Sequence, residues 1–161
     1  MVLVSACLTG QATRYDGDHS WSGEFLEYLY QHNLAYLALC PEVLGGLGIP
    51  RDPARIQGGR PGQEGLDVLA GRARVVTQGG RDVTRAYLQG ARLVLDICRR
   101  AGVERAFLKD RSPACAYDPE GHNPRGGPGR GVLAALLEAE GIPVVEVRVQ
   151  VGQGKGGEWC P

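Results

Sequence analysis

Val2-Leu3-Val4-Ser5-Ala6-Cys7 and, further on, Leu34-Ala35-Tyr36-Leu37-Ala38-Leu39-Cys40 are two near-continuous apolar runs, each too short for a helix and each ending on a cysteine. Runs of this kind suit strands covered on both faces, as in a parallel sheet. Between them, Ser22 to Gln31 carries Phe25, Leu26 and Leu29 at helical spacing, so the first part of the chain reads as a β-α-β unit. Outward from it the alternation continues. Asp82 can cap a long helix whose apolar residues Val83, Tyr87, Ala91, Val94 and Cys98 fall on one stripe, and Gly102 ends it. Arg105-Ala106-Phe107-Leu108-Lys109 predicts a third strand. A helix from about Gly131 to Glu140 follows, stopped by Gly141, and Pro143-Val144-Val145-Glu146-Val147 predicts a fourth strand. Strands alternating with helices imply right-handed crossovers and a doubly wound, mostly parallel four-stranded α/β sheet, most simply in the flavodoxin-like order 2-1-3-4. The stretch from Pro41 to Gly65 is Gly/Pro-rich, and the short run Val75-Val76-Thr77, which can add a small strand or hairpin beside the second loop, is too short to assign.

A length of 161 residues is enough for one domain with a continuous core and no disulfides. Residues 1–150 are expected to form it, with 151–161 a glycine-rich flexible tail. With 18 basic and 18 acidic side chains there is no positive field to grip long nucleic acid, which favours a small-molecule substrate. The longest apolar runs fall short of the roughly 20 residues of a membrane span, and the first residues lack a charged signal-peptide head, so a cytoplasmic location is expected. In a reducing compartment, five cysteines without a secreted-type framework are buried hydrophobes, metal ligands or nucleophiles rather than disulfides.

In an open parallel sheet, ligands bind outside the carboxyl ends of the strands. Cys7 follows the first strand, Cys40 the second, and Cys115 lies a few residues past the third, so residues distant in sequence converge on one rim. Three thiolates there suit a soft metal or an iron–sulfur cluster, and three ligands leave one coordination position open. The competing reading is that cysteine packs as a small hydrophobe; it is the better one for Cys98, on the apolar stripe of its helix. Cys160, near the end of the tail, reads as a free exposed thiol. Gly10, the run Gly45-Gly46-Leu47-Gly48 and the run Gly126-Gly127-Pro128-Gly129 can bring backbone amides close to a ligand or can be ordinary turns. Glu42, two residues past Cys40, can face the cleft as a general acid or base or be a solvated charge. Ser112 can donate a hydrogen bond there or cap a turn before Pro113.

In combination, several strings resemble the bacterial thiouracil desulfidase family, formerly a family of unknown function. They are Val4-Ser5-Ala6-Cys7-Leu8-Thr9-Gly10 with Arg14-Tyr15-Asp16-Gly17, and Cys40-Pro41-Glu42-Val43-Leu44-Gly45-Gly46-Leu47 with Pro50-Arg51. Asp82-Val83-Thr84, Gly90-Ala91, Leu108-Lys109, Ser112-Pro113-Ala114-Cys115 and Gly131-Val132 follow in the same order, so the resemblance reaches about Glu146. It implies a [4Fe–4S] cluster held by Cys7, Cys40 and Cys115, with the fourth iron left for substrate sulfur, and Glu42 and Ser112 as catalytic residues. The implied activity is removal of sulfur from a thiolated nucleobase such as thiouracil, giving the oxo base and sulfide. Ala114 and Ala116 stand where serine and glycine are expected, Leu133 replaces a threonine, and Arg55 occupies a position often acidic. These departures bear on the pocket lining more than on the ligands.

Two other classes compete. A phosphatase-like thiol enzyme would use Cys7 as nucleophile in an anion-cradling loop ending at Arg14, but that loop is one residue too long and leaves Cys40 and Cys115 without a role. A non-catalytic metal- or nucleotide-binding module would hold structural zinc or an anion. Structural zinc needs a fourth protein ligand, and the sequence places none of His19, His32 and His122 to supply it.

Overall fold

The computed structural model describes residues 1–118 and 129–149. In chain order these form β1 (Val2–Ser5), a 3-10 turn (Ala6–Thr9), α1 (Gly23–Gln31), β2 (Tyr36–Leu39), α2 (Pro41–Leu44), β3 (Ala54–Gly58) and α3 (Glu64–Leu69). There follow β4 (Ala73–Thr77), α4 (Thr84–Ala101), β5 (Arg105–Lys109), β6 (Tyr117–Asp118), β7 (Gly129–Arg130), α5 (Val132–Ala139) and β8 (Val144–Val147). The main sheet has four strands in the order β2-β1-β5-β8, each pair parallel, which is the doubly wound order expected from the sequence.

Alternate residues of β1 and β5 enter cores on opposite faces, because successive strand side chains point to opposite sides. Val2, Val4 and Phe107 pack with Phe25 and Leu29 of α1 on one face. There the Phe25 and Phe107 rings lie 5.5 Å apart and tilted, an arrangement aromatic pairs favour. Leu3, Ala106 and Leu108 pack on the other face with Tyr87, Ala91, Val94 and Cys98 of α4 and with Leu133 and Leu137 of α5. Full burial of each of these larger side chains contributes about 1.5–3 kcal/mol. Ser22 caps α1, its hydroxyl accepting from the Phe25 amide at 3.3 Å. Gly102 terminates α4 in the left-handed conformation at φ +65°.

Four expectations are corrected. The first strand stops at Ser5, and Ala6 begins a tight turn. The second starts at Tyr36 rather than Leu34, and it is the sheet's edge, with Tyr36 exposed and the rest only partly buried, so it is not covered on both faces. Asp82 stands one residue before the cap position of α4, its carboxylate accepting from the Thr84 amide at 2.9 Å. The stretch left without assignment contains α2, α3 and an antiparallel ribbon of β3 and β4, in which Val75–Thr77 pairs with Ala54–Ile56. The tail, Cys160, His122 and Gly126 to Pro128 lie outside the described residues.

Candidate functional site

The register of β1 on β2 places Ser5 opposite Leu39. The turn after β1 therefore sets Cys7 beside Cys40, the cap residue of α2. The third cysteine returns to the same rim because the Ala116 amide reaches back 3.3 Å to the carbonyl of Lys109, the last residue of β5. The carbonyls of Pro113, Ala114 and Cys115 accept the Val132, Leu133 and Ala134 amides at 2.9–3.1 Å, so the loop is fixed onto the first turn of α5. Cys7 and Cys40 are half-buried and Cys115 is buried. Each of the three lies within electrostatic reach of another: Cys7 feels Cys40, and Cys115 feels both.

Burial pushes the Cys7 thiol up to about 11, against the opposing pull of the nearby Lys109 ammonium; Cys40 raises it further, while Arg14 and a hydrogen bond with Ser20 lower it. Burial also raises Cys115 strongly, as do the two other thiols, while a hydrogen bond with Ser5 favours its thiolate. In the absence of a metal these thiols hold their protons. Binding a soft metal centre must therefore release them, and it adds positive charge to that of Lys109 and Arg14 at the rim. Cys98, buried in the core at α4, is likewise raised to about 11 by burial alone, which fits a packing role.

The donor set, three thiols on one rim, is one that an iron–sulfur cluster takes. Among the described residues no group of three His, Cys, Asp or Glu side chains is arranged to hold a single metal ion. A single zinc ion would need its sulfurs about 2.3 Å from one point, whereas a cluster offers each thiolate a different iron and spaces them apart. The described histidines offer no fourth ligand at the rim: the His32 ring bonds the Tyr28 carbonyl at 2.9 Å, and the His19 ring accepts from the Trp21 amide at 3.2 Å.

Glu42, on the single turn of α2, is fixed from two sides. Arg51 Nε donates to Oε1 and Arg51 Nη2 to Oε2, each at 3.0 Å, and the Tyr87 hydroxyl donates to Oε1 at 2.8 Å. Arg51 Nη2 also bonds the Thr13 carbonyl at 2.9 Å, the same oxygen that the Cys40 thiol faces at 3.8 Å. Ser112 accepts the Cys115 amide on its hydroxyl oxygen at 3.2 Å, which ties it to the third cysteine and leaves its own O–H to donate. Ser5 Oγ accepts the Lys109 amide at 3.0 Å, joining the ends of β1 and β5 directly beneath the thiols.

The structure thus brings Cys7, Cys40 and Cys115 to one rim, places Glu42 beside Cys40, and bonds Ser112 to the Cys115 turn. Ala114, Ala116 and Leu133 are buried in the core under the rim, and Arg55 is exposed on β3. Four neighbours received no role from the sequence: Arg51, Tyr87, Lys109 and Ser5. Tyr87 carried a signal, since a phenol on the apolar stripe of a helix needs a buried partner for its hydroxyl. Arg51 belongs to a string that carries the family resemblance, but nothing local named its partner, which lies on the other side of a glycine-rich turn.

Fold and rim define a doubly wound α/β protein with a cluster of thiols at its strand ends. The chain belongs to the 2-thiouracil desulfurase family, which matches residues 2–148. It is 40% identical over 148 residues to the uncharacterized protein YbbK of Bacillus subtilis (strain 168), covering 90% of this chain and 94% of that one. It is also similar to the solved structure of the [4Fe-4S]-dependent thiouracil desulfidase TudS, at 38% identity and a TM-score of 0.69, over 90% of this chain and 89% of that one. No helix among the described residues is long and apolar enough to cross a membrane.

Proposed function

We propose that this protein is a cytoplasmic, iron–sulfur-dependent desulfidase that converts a thiolated uracil to its oxo form with release of sulfide. The observation that carries the reading is the convergence of three buried or half-buried thiols at the strand ends of a member of this family. When bound by Cys7, Cys40 and Cys115, a [4Fe–4S] cluster supplies a sulfur-seeking Lewis acid at the iron that lacks a protein ligand. The overall exchange is a hydrolysis: water oxygen replaces sulfur on carbon, sulfur leaves as sulfide, and no net electrons move.

The chain's own residues handle water and protons. Glu42 is the group placed to take a proton from water at the carbon and to return it to the base or the departing sulfur. Ser112, held at the Cys115 turn, donates its O–H to the base or the water. Lys109, whose ammonium acts on Cys7, favours the thiolate form at the rim. The phosphatase alternative loses its support: a nucleophilic cysteine needs a lowered pKa, whereas Cys7 is raised, and Arg14 is engaged by Asp16 at 2.9 Å.

The test is anaerobic reconstitution followed by iron and sulfide analysis and single-turnover sulfide release from 2-thiouracil. Replacing Cys7, Cys40 or Cys115 by Ala should lose both iron and turnover, while Cys98→Ala keeps both. Glu42→Gln should keep its iron and slow by about 10²–10⁴-fold, the range of a positioned acid–base group, against roughly tenfold for loss of the neutral Ser112 hydrogen bond. Iron-free zinc protein after reconstitution, or loaded protein that releases no sulfide from any thiobase, overturns the assignment.

A further inference from the structure

A carboxylate has about four acceptor sites, two on each oxygen. On Glu42, Oε1 receives both Arg51 Nε and the Tyr87 hydroxyl, and Oε2 receives Arg51 Nη2. Among the described residues, three sites are filled and one, on Oε2, remains. The two donors come from separate parts of the chain, Arg51 from the loop before β3 and Tyr87 from the second turn of α4. Both are deeply buried: the Arg51 side chain is 5% exposed and Tyr87 is 2% exposed. A planar guanidinium fork fixes the plane of the carboxylate, and the phenol fixes which oxygen turns inward. Arg51 goes further, donating at 2.9 Å to the Thr13 carbonyl that the Cys40 thiol faces and at 3.3 Å to the Gly48 carbonyl. One side chain therefore ties Glu42, the loop after β1 and the surroundings of Cys40 into a single rigid unit.

We propose that Arg51 and Tyr87 are positioning residues for desulfidation, holding Glu42 so that its one open acceptor site, on Oε2, keeps a fixed orientation at the thiol rim. The proposal rests on the assignment of Glu42 as the proton-transfer group. Neither residue touches the reacting atoms; each acts through Glu42. Lysine at position 51 keeps the charge but cannot make the fork, so orientation and charge are separable. Phenylalanine at position 87 removes one hydroxyl from a packed ring and leaves the core filled.

The experiment compares wild type, Tyr87→Phe, Arg51→Lys and each of these combined with Glu42→Gln, all reconstituted anaerobically. The variants should carry wild-type iron and an unchanged cluster absorption. With 2-thiouracil, Tyr87→Phe should lower kcat roughly tenfold or more, the worth of one hydrogen bond to a charged acceptor, with KM within about twofold. Arg51→Lys, which keeps the charge and loses the fork, should likewise lower kcat roughly tenfold or more with KM within about twofold. In the Glu42→Gln background, Tyr87→Phe should cost less than about twofold further, because residues that act through one group are not additive. A tenfold loss that persists in that background, or a rise in KM with kcat unchanged, overturns the proposal. A readout independent of turnover is the crystal structure of Tyr87→Phe, in which Glu42 should rotate or occupy two conformers; an unmoved carboxylate also overturns it. Wild-type protein that releases no sulfide would sink the desulfidase reading instead, and the Glu42 conformers would still decide the positioning role.

Discussion

Gly90→Ala should disturb the site through the backbone of the short helix that carries it. Gly90 lies on α4 where α2 crosses it, and a Cβ built there would stand 2.8 Å from the Pro41 carbonyl carbon and 3.0 Å from the Gly45 nitrogen, and would overlap the Pro41 carbonyl oxygen. Relaxed carbon–carbon contacts lie at about 3.5–4.0 Å, so α2 would have to retreat by about 1 Å. The obstacle is backbone on both sides, since a Cβ on the facing Gly45 would sit 2.9 Å from the Ala86 carbonyl carbon, and neither helix can relieve it by a rotamer change. Overpacking of this kind costs about 1–3 kcal/mol. For a domain of this size each kcal/mol moves the melting midpoint by about 2–4 °C. The larger effect falls on the chemistry, because α2 is capped by Cys40 and carries Glu42. A displacement of about 1 Å in catalytic groups can cost about 10²-fold in rate. The assays are thermal unfolding of the metal-free protein, iron content after reconstitution, and sulfide release. The expected result is a midpoint lower by several degrees, reduced iron loading and a loss in rate much larger than the loss in stability. A Gly90→Ala protein with unchanged midpoint, full iron and full rate would refute the argument that this backbone contact sets the position of Cys40 and Glu42.

Two more perturbations test the support beneath the rim. Ser5→Ala removes the acceptor of the Lys109 amide and the hydrogen bond with Cys115, so it should lower unfolding free energy by about 1–3 kcal/mol and shorten cluster lifetime in air; a variant equal to wild type in both would show that the bond is dispensable. Asp67, 1% exposed at its side chain, takes the guanidinium groups of Arg60 and Arg72, and hydrogen bonds from Arg60 hold its carboxyl well below the ordinary value of 3.8. Because the folded state depresses this pKa, the stabilisation is complete above the ordinary value and is lost as pH falls below it toward the folded one. Thermal midpoints measured between pH 5 and pH 2 should fall less steeply for Asp67→Asn than for wild type, and parallel curves would exclude this pair as a source of acid sensitivity.

The main sheet was legible because its signals are local. Val2–Ser5 and Arg105–Lys109 are apolar runs bounded by turn chemistry, and the stripe from Val83 to Cys98 repeats at helical period, so each element announces itself within its own window. The stretch between Pro41 and Gly65 was not legible for the opposite reason. α2 is one turn long, with Pro41 at its first position, and β3 (Ala54–Gly58) alternates half-buried and exposed residues because only one face of a two-stranded ribbon meets the core. Neither gives enough periodic residues to stand out. β2 misled in a different way: Leu34 to Leu39 is continuous in hydrophobicity, yet the sheet ends there, so the run reports an apolar strand without reporting that one edge faces solvent.

At the rim, the sequence carried the ligands but not what governs them. The positions after β1, β2 and β5 follow from topology, so Cys7, Cys40 and Cys115 could be grouped as soon as the strands were placed. Their chemistry depends on contacts that no spacing encodes. Thr13 and Arg51 lie in different loops, yet Arg51 bonds the Thr13 carbonyl that Cys40 faces while its fork holds Glu42. The energetics point the same way. Burial holds the protons on Cys7 and Cys115, and an acidic residue with one open acceptor site is of little use unless a positive centre draws substrate to it. Buried arginine, lysine and hydroxyl groups gathered around the thiols and Glu42 are what such a rim requires: Arg51 and Tyr87 on the carboxylate, Lys109 and Ser20 on Cys7, Ser5 on Cys115. Glu42, Cys7 and Cys115 are therefore each compensated separately, and the remaining unfavourable term, the protons on Cys7 and Cys115, is the one that a sulfur-ligated metal cluster removes on binding.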